Sequence, residues 1–169
     1  STSARGPTST VAWRGEGHTA VFAAGTDPTG TYTVNLSGTQ TTDGVVAAKG
    51  NVKLNGGALK LTTPAVVRAE SGASLTLATQ LTGTARLLLQ GGGAIRLSGD
   101  QPLSGPLGIT VPALTMDSGT RFAALTNLTL GSGVSLAANG VTLGLSGDLS
   151  LTGASFTGAG SVRVYQGLS

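Results

Sequence analysis

Apolar residues fall two apart along most of this chain, with Lys, Arg, Thr or Ser between them. The pattern reads Val52-Lys53-Leu54, Leu59-Lys60-Leu61, Leu75-Thr76-Leu77, Leu87-Leu88-Leu89 and Ile95-Arg96-Leu97, and then continues through Leu107 to Val111 and Leu114-Thr115-Met116. Leu128-Thr129-Leu130, Val134-Ser135-Leu136, Val141 to Leu145, Leu149-Ser150-Leu151 and Val162-Arg163-Val164 extend it to the C-terminus. Strand side chains alternate between faces, so each segment predicts a short strand with one dry and one wet side. Gly-rich breaks such as Asn55-Gly56-Gly57, Gly91-Gly92-Gly93 and Ser98-Gly99-Asp100 supply corners between them. No segment carries a helical period, because Gly or a β-branched residue interrupts each candidate.

Short strands with tight corners suit an antiparallel sandwich or a parallel solenoid. Three observations favour the solenoid. Asp43-Gly44, Asn55-Gly56 and Asn139-Gly140 are the only Asn-Gly or Asp-Gly dipeptides, the turns that pin antiparallel hairpins. Aromatic residues, which usually fill the space between the sheets of a sandwich, are nearly absent after Tyr32. The strand-Gly-strand-Gly unit is self-similar, as one supersecondary unit per rung requires. The expected rungs hold roughly 18 to 25 residues and stack about 4.8 Å apart, which gives roughly six to eight of them. Leu54, Leu61, Leu75, Leu77, Leu89, Ile95, Leu97, Leu128, Leu130, Val134 and Leu136 are expected to point inward.

Composition narrows the class further. Of 169 residues, 39% are apolar and 10% charged, the reverse of a disordered chain. Glycine, at 28 residues, does not fall at every third position, which excludes collagen. No apolar run reaches the roughly 18 residues of a spanning helix. Ten Lys and Arg against seven Asp and Glu leave a net charge of +3, but the cations are scattered, so nucleic-acid binding is not expected. Without cysteine there are no disulfides, thiolate metal ligands or cysteine nucleophiles.

Gly93, Ile95, Leu97, Gly99, Gln101, Leu103 and Gly105, followed by Ile109-Thr110-Val111 and Leu114, resemble the autotransporter-associated β-strand repeat, with Gln101 and Leu103 where that repeat has Asn and Tyr. Val11 to Trp13, Val21-Phe22, Tyr32 to Val34 and Gly72 to Leu75 resemble the lead-in to such repeats. The resemblance implies an all-β, right-handed parallel β-helix. It also implies a passenger segment of a bacterial type V secreted surface protein, exported across the outer membrane to the cell surface or beyond. The usual C-terminal membrane barrel is not recognisable in the sequence, so the chain is expected to be a fragment of a longer protein. Residues 1–30, holding Trp13, Phe22 and His18, are read as an N-terminal cap and lead-in, and 31–169 as the β-helical repeat region.

Candidate chemistry is sparse. His18 is the only histidine and no Gly-x-Ser-x-Gly elbow occurs, so no nucleophilic triad is expected. One His and no Cys predict no transition-metal site, and no cofactor motif is present, since Gly91-Gly92-Gly93 lacks the Lys and Ser or Thr of a phosphate loop. The best enzymatic constellation pairs Asp100 and Asp117 on adjacent rungs with Arg96 or Arg121 nearby, as a polysaccharide-active β-helix would need. Both aspartates also stand beside Gly99 and Gly119, where Asp serves turns. The reading is therefore a monomeric, non-enzymatic stalk or adhesive segment whose partner is a host-surface, glycan or matrix ligand. The alternatives are the polysaccharide enzyme and a cytosolic β-helical scaffold that polymerises.

Overall fold

The computed structural model describes residues 14–23, 31–138 and 140–164, and all regular structure among them is strand. Among the described residues nineteen strands, β1 to β19 in chain order, stack into a parallel β-solenoid of about six turns. The first sheet stacks β1 (Thr19–Ala23), β4 (Gly44–Lys49), β6 (Ala65–Ala69), β8 (Leu87–Gln90), β11 (Leu107–Ile109), β14 (Leu128–Leu130) and β17 (Leu149–Leu151). The second runs from β2 (Thr31–Asn35) through β5 (Asn51–Lys60), β7 (Ser74–Thr82), β9 (Ala94–Leu97), β12 (Ala113–Met116) and β15 (Ser135–Ala138) to β18 (Ser155–Thr157), with β3 (Thr39–Thr41) beside β5. A third sheet adds β10 (Asp100–Gln101), β13 (Arg121–Leu125), β16 (Thr142–Leu145) and β19 (Ser161–Val164). Every pairing is parallel, as the scarcity of hairpin dipeptides implied.

Register converts the alternation into continuous columns. In the second sheet Tyr32, Val52, Leu75, Ile95, Leu114, Leu136 and Phe156 lie one above another. In the first sheet Val45, Val67, Leu89, Ile109, Leu130 and Leu151 do the same. These columns meet inside as one hydrophobic cluster running from Val45 to Leu145. All eleven residues expected inward are buried. Each neighbouring turn covers its predecessor, so burial and backbone pairing reinforce each other along the axis.

Two local features depart from simple strands and corners. The Asn55-Gly56-Gly57 break is a bulge within β5 rather than a corner, because the strand resumes pairing with β7 at Ala58. Gly57 has φ +52°, and a side chain there would run into the Gly38 and Leu36 carbonyls of the previous turn. Gly91-Gly92-Gly93 is a corner: Gly91 has φ +115° and lies against the Ala69 carbonyl, and the Gly93 N–H donates to that carbonyl at 3.0 Å.

The third sheet begins where a buried side chain replaces missing backbone pairing. Gln101 is fully buried, its Oε1 accepts the Leu81 N–H at 2.8 Å, and its Nε2 donates to the carbonyls of Ser98 (2.8 Å) and Thr79 (3.3 Å). The amide thus joins β10 to the second half of β7, and β10 is then followed by β13 in ordinary register, with Gln101 opposite Phe122. Thr42, Thr79 and Thr120, also buried, likewise bond to backbone carbonyls, so these polar groups are satisfied.

The two ends differ from the middle. Near the start, Phe22 and Tyr32 are half-buried, with ring centroids 6.5 Å apart. Trp13, read as the other cap residue, lies outside the described residues. The Tyr32 hydroxyl is buried with no partner among the described residues, and loss of hydration pushes its pKa up to about 12. At the far end Leu149, Leu151, Phe156 and Val162 continue inward columns but are exposed.

Candidate functional site

The interior polar groups being satisfied, the charged groups free to meet a ligand lie on the outer faces. The outward residues of the second sheet form a column of their own: Thr33, Lys53, Thr76, Arg96, Thr115, Ala137 and Thr157. Lys53 and Arg96 are its only charged members and stand two turns apart, with Thr76 between them. Two strand spacings put their backbones roughly 10 Å apart. Around them lies a shallow depression of about 340 Å³ lined by Lys53, Thr76, Ala78, Arg96, Ser98 and Asp117.

Asp117 follows the last residue of β12, where its N–H donates to the Leu97 carbonyl at 2.9 Å. That brings its carboxylate to Arg96, whose Nε donates to Oδ1 at 2.7 Å. The Arg96 side chain remains 58% exposed and that of Asp117 28%. Lys53 has no ion-pair partner among the described residues, so the depression carries one uncompensated positive charge.

The expected constellation of Asp100, Asp117, Arg96 and Arg121 separates into two pairs. Asp117 joins Arg96 on the second sheet, while Asp100 lies opposite Arg121 in the β10–β13 register on the third. The corner at Ser98-Gly99 divides them. Asp117 is thus engaged by Arg96, while Asp100 is exposed on a different sheet, so the two carboxylates share no acid–base arrangement. His18 is exposed, with Nδ1 3.1 Å from the Glu16 carbonyl oxygen. No group of three or more His, Asp or Glu that could hold a metal converges among the described residues. Arg68 and Glu70 form a separate ion pair at 3.0 Å on the first sheet.

Lys53 went unnoticed as a site residue because its neighbour Arg96 is 43 positions along the chain. The available signal was the alternation itself, which places Lys53, Thr76 and Arg96 on wet faces; only the register assigns them to one column. No protein-family model, curated protein or solved structure matches the chain.

Proposed function

We propose that the chain is a structural and adhesive segment of a bacterial surface or secreted protein of the autotransporter kind, without catalysis. It acts as a stiff spacer that presents a polar surface outside the cell. The observation carrying this reading is the division of labour across the strands: inward columns are apolar from turn to turn apart from the hydrogen-bonded Gln101, and no charged side chain is buried among the described residues. Such a stack gains length by adding turns, each templated by ladder hydrogen bonds, without a new core. Fusion ahead of an outer-membrane barrel in a bacterium lacking other adhesins tests the reading. Protease-accessible display and increased attachment to matrix-coated surfaces are expected. Retention in the periplasm, or display without attachment or any projection from the surface by electron microscopy, would contradict it.

A second reading, a polymerising scaffold, draws support from the exposed apolar row at the last turn. Filaments of the isolated chain in electron micrographs favour it, and a monomer in sedimentation favours the surface segment.

A further inference from the structure

We infer that the outer face of the second sheet around Lys53, Thr76 and Arg96 binds an acidic polysaccharide carrying one acid group per disaccharide, lying along the solenoid axis. This deepens the adhesive reading and rests on it. The register fixes two cations in one column at a separation of roughly 10 Å, comparable to the length of a disaccharide. Successive acid groups of such a polymer can therefore meet Lys53 and Arg96 while the intervening sugar lies over Thr76.

The rest of the depression suits that occupant. Thr76 and Ala78 are small and leave the floor shallow, while the Ser98 and Thr76 hydroxyls can exchange hydrogen bonds with sugar hydroxyls. No aromatic side chain lines it, which removes the stacking platform that single-stranded nucleic acids require. No open sheet edge or apolar pocket is present there to hold an extended peptide. Lys53 supplies an unmatched charge, and Arg96 is held through Nε by Asp117 while much of its side chain stays in water. Asp117 is then a positioning residue and a competitor: it orients the guanidinium but opposes an incoming acid.

Calorimetry on the whole chain tests this with hyaluronate oligosaccharides, and chitin oligosaccharides of equal length serve as the neutral control. Binding of hyaluronate but not of the neutral control is expected, weakening as salt is added. Lys53→Gln and Arg96→Gln should each weaken it about fivefold, the scale of an exposed ion pair. Asp117→Asn should strengthen it by a similar factor, a gain that damage to the fold cannot imitate. Arg163→Gln, on the third sheet, should leave it unchanged. Absence of hyaluronate binding, equal binding of the neutral sugar, or equal loss with Arg163→Gln would overturn the inference. If cells displaying the chain attach equally well with Lys53→Gln and Arg96→Gln, the inference falls and the adhesive reading stands. If the isolated chain binds with the expected variant pattern but displaying cells do not attach, the site stands and the adhesive reading falls.

Discussion

Leu130 and Leu151 occupy the same inward column one turn apart, yet Leu130 is fully buried and Leu151 is 48% exposed. Leu136 and Phe156 differ in the same way in the second sheet. Sequence pattern is alike in each pair; what differs is how far the described neighbouring turns cover each side chain. In a solenoid a residue is sealed by its neighbours along the axis, so identical side chains acquire different energetic weight by position alone. The hydrophobic contribution of roughly 25 cal/mol per Å² is realised only where a further turn excludes water.

The sharpest way to break the comparison is to place a charge in each environment. Leu97→Asp, in the middle of the stack, should cost more than about 4 kcal/mol by burying an unpaired carboxylate. Leu151→Asp should cost about 1 kcal/mol or less, because its side chain already meets water. Urea unfolding followed by circular dichroism separates the two, and equal losses would remove the distinction between inner and last turns.

Gln101→Ala should come next. It leaves the Leu81 N–H and the Thr79 and Ser98 carbonyls without their present partner, a loss of about 2 to 3 kcal/mol measurable in the same way. A neutral outcome would mean that water replaces the amide and that the third sheet needs no such join.

A smaller effect is expected at the first turns. Tyr32→Phe removes a buried hydroxyl with no partner among the described residues, so stability should hold or rise by up to about 1 kcal/mol. The pH dependence is more telling. The folded-state pKa of about 12 lies above the usual 10, so above pH 10 the unfolded chain releases this proton more readily than the folded one. The contribution of the neutral phenol is complete below pH 10 and is lost as pH rises through 12, and Tyr32→Phe should flatten that decline in thermal melts.

The smallest change should follow Asp100→Ala with Asp117→Ala, since Asp100 is exposed and the partner of Asp117, Arg96, is 58% exposed. The cost in stability should stay within about 1 kcal/mol by thermal melting. A larger one would give these aspartates a turn-stabilising role beyond the Arg96–Asp117 ion pair.

The inner columns were legible in the sequence because strand alternation exposes them directly, as at Leu75, Leu77, Ile95 and Leu97. Parallel stacking followed from the missing hairpin turns and the repeated corners. Which turn lies beside which was harder, since partners are 20 residues apart at Leu75 and Ile95 but 23 at Val52 and Leu75. Irregular spacing hid the join at Gln101 and the meeting of Lys53 with Arg96. It also made the Asn55-to-Gly57 bulge look like a corner, because glycine with positive φ serves both. The pairing of Arg96 with Asp117 came within reach because both flank turns about one rung apart, whereas the proposed carboxylate pair dissolved once register assigned Asp100 to the third sheet.

Hydrogen exchange resolved to individual amides tests the central claim of a stack sealed from both sides. The slowest exchange is expected in the middle turns, at β8, β9 and β11, with protection falling through β17 and β18 to β19. Equal protection in the last turn and the middle, or fast exchange at Leu89, Leu97 and Ile109, would contradict the account.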